Sequence, residues 1–164
     1  MNKCRTALRS LLLVFFFCSV MPAQGLINPG IKLGYTFGPN GGFVYGIEVS
    51  YTAYMQNNGI GGLVVDVERC NNMTMMHFGF EGSYTGFELN SIPYPGICVG
   101  PSLIWEGKQP AELAFSIIPF FGFMALPYFE YTIRREKPNL TQTGIYFKVP
   151  VSPAGGPIWD WNFR

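Results

Sequence analysis

Charge is scarce in this chain, and its two signs nearly cancel. Only 13% of the residues are Asp, Glu, Lys or Arg, and the formal net charge is +1. Nothing in that balance favours a polyanionic partner, so nucleic acid is not expected. Histidine occurs once, at His77, and no two of the four cysteines form a C-x-x-C pair. No recognised zinc spacing is therefore present. No apolar run is long enough to cross a bilayer as a helix. There is no helical repeat, coiled-coil heptad or low-complexity linker. The glycine-rich stretch 59–62 lacks the Lys and the helix of a phosphate loop. No cofactor is expected.

What the chain does have is alternation. From Phe43 to Tyr54 the odd positions are Phe43, Tyr45, Ile47, Val49, Tyr51 and Ala53. The even positions are Val44, Gly46, Glu48, Ser50, Thr52 and Tyr54. A period of two places successive side chains on opposite faces of a strand. One face is bulky and apolar; the other is mostly small, hydroxylated or charged.

The start of the chain has the layout of a secretion signal. Lys3, Arg5 and Arg9 precede an apolar stretch, Leu11–Met21, broken only by Ser19. Pro22, Ala23 and Gln24 follow, and Ala23 is the expected cleavage point. Residues 1–23 are read as the signal and 24–164 as one β-barrel domain, with strands over about 30–151 and a tail over 152–164. Cleavage would leave eight basic residues against ten acidic ones, a net charge of −2. Only Cys70 and Cys98 would remain.

Eight apolar, mostly alternating runs are separated by turn residues, at 30–38, 43–54, 60–69, 74–84, 96–105, 111–121, 123–134 and 143–151. Their lengths suit tilted membrane-crossing strands. Pro39-Asn40-Gly41-Gly42, Gln56-Asn57-Asn58-Gly59 and Glu106-Gly107-Lys108 read as hairpin turns. Pro119 and Pro127 interrupt the sixth and seventh runs, and each should need a bulge or a strand end. Gly122 would have to carry a very tight turn.

The two faces differ along the whole chain. Ile31, Leu33, Tyr35, Phe37, Val65, Phe78, Phe80, Phe115, Phe129, Ile133 and Phe147 belong to the apolar one. The other carries Lys32, Thr36, Glu48, Ser50, Asp66, Glu68, His77, Glu81, Glu130, Thr132 and Lys148. Volume decides which points inward. An eight-stranded barrel has an interior just wide enough to be filled by side chains. Gly, Ser and paired charges fit there better than ranks of Phe and Tyr. In hydrocarbon, only a closed barrel leaves no strand edge unpaired. The fold expected is all-β: a single antiparallel up-and-down transmembrane barrel of about eight strands.

This pattern resembles the small outer-membrane β-barrels of the OmpA-transmembrane and OmpX type. The resemblance covers roughly residues 30–151 and rests on no diagnostic motif. It implies a bacterial outer-membrane location, contact with membrane lipid and lipopolysaccharide, and passage through the outer-membrane insertion machinery. Such proteins often end in a strand with an aromatic last residue. Gly156, Trp159, Trp161 and Phe163 form a partial version, followed by Arg164. The family also tends to have long outer loops. Here the longest connection, 85–95, would be periplasmic. Some outer-membrane lipid-modifying enzymes carry a His-x-Ser pattern; His77-Phe78-Gly79 lacks it.

Catalytic groups are not expected. Glu81 and Ser83 share a face with His77, but residues four apart on a strand lie about 13 Å apart, too far for a contact triad. The polar face is read as a lumen network of Lys32, Glu48, Asp66, Glu68, His77, Glu81, Glu112, Glu130, Arg134 and Lys148. Six acids face three bases there, which predicts a charged His77 beside Glu81 or Glu48. Arg134, Arg135 and Lys137 are candidates for lipid-phosphate contact. Trp105, Tyr35, Tyr51, Tyr54 and Tyr131 stand near strand ends, where membrane barrels place aromatic girdles. Cys70 and Cys98 should sit at opposite ends of one hairpin, about 30 Å apart, and should not pair. Function is read as a noncatalytic structural or envelope-interaction role. The alternatives are a soluble secreted or periplasmic barrel binding a small apolar ligand and, third, an integral-membrane lipid-modifying enzyme.

Overall fold

The computed structural model describes residues 25–38, 41–55, 59–84, 94–122 and 124–151. The expected signal, most of the 85–95 connection and the 152–164 tail with Trp159, Trp161 and Phe163 lie outside the described residues. Eight strands follow in order: β1 (Gly25–Phe37), β2 (Gly42–Met55), β3 (Gly59–Cys70), β4 (Met73–Tyr84), β5 (Tyr94–Glu106), β6 (Glu112–Gly122), β7 (Ala125–Ile133) and β8 (Leu140–Lys148). Each pairs antiparallel with the next, and β8 pairs with β1, so the sheet closes into a barrel. Closure satisfies the edges that an open sheet would expose.

The turns β1–β2, β3–β4, β5–β6 and β7–β8 surround one end of the barrel, here termed the upper mouth. Asn71 takes a positive φ of 51° in the two-residue turn between β3 and β4, which Asn tolerates better than most residues. Gly122, at the lower end of β6, has φ 142°, and a Cβ there would overlap the Ala125 carbonyl oxygen. The tight turn expected at this glycine is present.

The facing follows the alternation. Lys32, Thr36, Glu48, Ser50, Asp66, Glu68, His77, Glu130, Thr132 and Lys148 are buried inside. Ile31, Tyr35, Phe43, Ile47, Phe80, Leu113 and Phe129 point outward and are exposed. Among the described residues, Arg69 is the only charged side chain on an outward strand position, and it lies beside the upper mouth.

Three local expectations change. The first strand begins at Gly25, five residues earlier than the pattern suggested, because Asn28 turns inward and donates a hydrogen bond to Thr52 at 2.9 Å. The last strand runs 140–148, not 143–151. Pro150 has no N–H to donate, and beyond it Val151 makes only an isolated bridge to Ile27. Pro119 needs neither bulge nor strand end: β6 keeps its register with β7 on both sides of it. Ladder pairing with β7 is merely lost at that level, while Ile97 of β5 still pairs with Pro119.

Cys70 and Cys98 are both buried and unpaired, as expected. Cys70 closes β3 at the upper mouth, whereas Cys98 lies opposite Glu81 in the lower half.

Candidate functional site

The lumen is filled in layers. Just inside the upper mouth, Met75, Ile104 and Ala114 form an apolar cluster, with Met73 and Leu140 packed against it. At the lower side, Val64, Cys98, Ile118, Leu126, Tyr128 and Tyr146 form another. A charged layer lies between them, and a second charged group, around Lys148, packs against the lower cluster, with Lys148 Nζ 5.6 Å from the Tyr146 ring centre.

Lys32 is the hub of the central layer. Its Nζ meets Asp66 at 2.9 Å, Glu130 at 2.7 Å and also Glu68. Burying an ammonium is costly unless carboxylates and further hydrogen bonds compensate. Here β3 supplies two of the carboxylates, Asp66 and Glu68, and β7 the third, Glu130. The Tyr128 and Tyr146 rings lie 4.9 and 5.2 Å from Lys32 Nζ and add a cation–π contribution. Tyr146 donates its hydroxyl to Asp66 at 3.1 Å, and Gln142 donates to Glu68 at 2.5 Å. In the lower group, Lys148 binds Glu48 and, at 3.0 Å, Glu81.

His77 departs from expectation. Its partners are neither Glu81 nor Glu48. Nδ1 lies 3.0 Å from Ser102 Oγ, and Nε2 lies 3.4 Å from Cys98 Sγ. Among the described residues no carboxylate hydrogen-bonds the ring, so the expected charge-stabilised imidazolium lacks its partner there. The reason is register: β5 lies beside β4 and places Ser102 opposite His77, while Glu81 sits further down with Lys148. Ser102 continues a chain of hydroxyls through Ser116 at 2.8 Å and Thr132 at 2.8 Å to Glu130 at 3.1 Å. Ser102, Ser116, Thr132, Gln142, Tyr128, Tyr146 and Cys98 thus join the network. Their even positions in alternating strands were the available signal; their role as partners required the register.

Glu112 and Arg134 are not part of the central plug. They face inward at the upper mouth, where Arg134 binds Glu112 at 2.5 Å and Glu106 at 2.7 Å. Lys137 joins through Glu106 at 2.7 Å and Gln109 at 2.6 Å. Burial works against the Arg134 charge, but the hydrogen bonds to Glu112 and Glu106 outweigh it and raise its pKa. Arg134 is thereby committed to carboxylates, which corrects its assignment to lipid phosphate. Arg135 points outward from the same turn and is exposed.

Above the upper apolar layer lies a cavity of about 640 Å³. Thr36, Cys70, Met73 and Leu140 line its inner part, and Asn71, Arg134, Lys137 and Asn139 line its mouth. Among the described residues, no group of three or more His, Cys, Asp or Glu side chains is placed to hold a metal ion.

No protein-family model and no curated protein matches the chain. Among solved structures, a de novo designed transmembrane β-barrel is similar at 11% identity, over 79% of this chain and 98% of that one, with a TM-score of 0.41. So loose a likeness carries no functional inference.

Proposed function

We propose that this protein is a noncatalytic β-barrel of a bacterial outer membrane, with a side-chain-filled lumen and a structural or envelope-interaction role. The observation that carries the reading is the inverted distribution of polarity. Ile31, Tyr35, Phe43, Ile47, Phe80 and Leu113 are half to two-thirds exposed, while Lys32, Glu130 and Asp66 are at most 1% exposed. A water-soluble barrel rarely shows so continuous an apolar belt. A lipid-facing barrel requires one, with polar groups inside. Tyr35, Phe37, Phe43 and Tyr45 crowd the upper edge of the belt, joined there by Trp105 and Tyr131. They match an aromatic girdle at a lipid–water boundary. Arg69 and Arg135 are exposed beside that edge, and on this reading they would meet lipid or lipopolysaccharide phosphates.

The noncatalytic part rests on access. Ser102 and His77 form a hydrogen-bonded pair, but they are 0% and 1% exposed. Among the described residues neither imidazole nitrogen is oriented by a carboxylate, as a serine nucleophile's base would be. Against the soluble-barrel alternative, the lumen centre is no apolar pocket, since Lys32 and its carboxylates fill it.

Cell fractionation tests the location. The protein should remain in the outer-membrane pellet through a carbonate wash and leave it only with detergent. Its appearance in a detergent-free periplasmic release would overturn the proposal. Passage through the insertion machinery predicts that depleting that machinery leaves the chain unfolded and protease-sensitive.

A further inference from the structure

We infer that an outward row at the upper edge of the barrel, Tyr45, Arg69, Thr74 and Trp105, binds a membrane lipid whose head ends in a phosphomonoester. The phosphate meets Arg69, and the acyl chains lie on the apolar surface below. The inference rests on the membrane reading proposed above and adds where one class of lipid is held and by which groups.

Register builds the row. Tyr45 pairs with Arg69, Arg69 with Thr74, and Thr74 with Trp105, across β2, β3, β4 and β5. All four occupy outward positions, and neighbouring strands lie about 4.8 Å apart. Tyr45 and Thr74 therefore flank Arg69, with Trp105 one strand beyond Thr74. Among the described residues the Arg69 side chain makes one hydrogen bond, from Nε to the Asn71 carbonyl at 3.4 Å. Both terminal nitrogens are left for a ligand. The nearby carboxylates are already engaged: Glu68 turns inward to Lys32, and Glu106 is held by Arg134 and Lys137. The row thus offers one cation and three neutral donors, the Tyr45 and Thr74 hydroxyls and the Trp105 indole N–H. Two residues lower on the same strands, the outward row is Ile47, Val67, Met76 and Leu103, again register partners. A head bound at Arg69 has an apolar track directly beneath it.

The donors select the head. One guanidinium fork uses up the two oxygens of a carboxylate. A phosphomonoester carries three terminal oxygens and about −1.5 to −2 charge at neutral pH. That suffices for the fork and for the flanking hydroxyls as well. A choline phosphodiester has two terminal oxygens, one negative charge and a cation of its own beside them.

The full chain is reconstituted in phosphatidylcholine vesicles in which a small fraction of the lipid is brominated high on its acyl chains. Quenching of tryptophan fluorescence is then measured. The share due to Trp105 is the difference between a chain and the same chain carrying Trp105→Phe. Brominated phosphatidic acid should quench Trp105 with roughly tenfold greater affinity than brominated phosphatidylcholine, the low end of what one charge-assisted hydrogen bond gives. Brominated diacylglycerol hemisuccinate, an anionic lipid with a carboxylate head, should fall well short of that preference. Arg69→Gln, checked as a folded band on an unheated gel, should lose the preference and keep the quenching by phosphatidylcholine. Excess inorganic phosphate should leave the preference in place, because a free anion cannot use the apolar track. Equal quenching by phosphatidic acid and phosphatidylcholine, an equal preference for the hemisuccinate, persistence in Arg69→Gln, or loss with inorganic phosphate would overturn the inference and leave the membrane reading intact. Absence of Trp105 quenching by every brominated lipid would overturn both.

Discussion

Lys32 shows how much one side chain can hold in place. It is fully buried and ties β1 to β3 and β7 through Asp66, Glu68 and Glu130. Lys32→Met keeps much of the volume but leaves three carboxylates facing one another without their cation. Breaking a buried ion pair by removing one partner costs about 3–5 kcal/mol. Urea titration of the barrel in phospholipid vesicles should show a loss of that size, and Asp66→Asn on the Lys32→Met background should recover part of it. A loss below about 1 kcal/mol, the range of surface pairs, would mean that this cluster is already uncharged without Lys32. Val49 tests the opposite face. It is half exposed near the middle of β2, paired with Pro29 and Val65. Arg there should cost about 2–4 kcal/mol if it meets the bilayer midplane. A Val49→Arg variant as stable in vesicles as Val49→Ala would argue that this position does not face lipid.

At the scale of the strands, the seam between β8 and β1 depends on missing side chains. Gly34 and Gly144 are register partners, and an added Cβ at either would overlap both the backbone across the ladder and Tyr128, its hydroxyl at Gly34 and its ring at Gly144. The two glycines make room for Tyr128, whose ring centroid lies 4.6 Å from that of Tyr146. Gly144→Ala should therefore cost roughly 1–3 kcal/mol by overpacking, read as a lower denaturant midpoint. Gly82→Ala controls for backbone flexibility: there the added Cβ meets nothing within 4 Å, and the backbone is not at positive φ. If both changes cost the same, the packing explanation for Gly144 fails. The strands themselves were legible because alternation and turn residues are local signals. Phe43–Tyr54 announces its two faces in sequence, and β2 runs from Gly42 to Met55. The ends were less legible, since Asn28 near one end and Pro150 near the other act through neighbours distant in the chain. Partners within the lumen were least legible. His77 and Glu81 share a face but stand four residues apart on one strand, so the partner each meets depends on how β5 and β8 are set against β4. Ser102 and Lys148 take up these two side chains separately.

For the whole molecule, the layered lumen sets what can pass through it. An ion entering from the upper mouth meets Met75, Ile104 and Ala114 before reaching Lys32 and its carboxylates. Below that lie Val64, Ile118, Tyr128 and Tyr146, with the Lys148 group packed against them. Each apolar layer would have to take up water before an ion could cross, and eight-stranded barrels leave little spare width. The two seals act in series. The wild-type protein in planar bilayers should therefore show no steady large conductance. Met75→Ala with Ile104→Ala loosens the upper seal, and Tyr128→Ala with Tyr146→Ala loosens the lower one; neither pair alone should conduct. All four changes together should open a narrow path, provided the barrel still runs as a folded band on an unheated gel. That path should favour cations, because Glu48, Asp66, Glu68, Glu81 and Glu130 outnumber Lys32 and Lys148 along it. Conductance from either double variant would show that one layer carries the whole barrier. Anion selectivity in the fourfold variant would show that the interior carboxylates do not hold the excess of charge assigned to them.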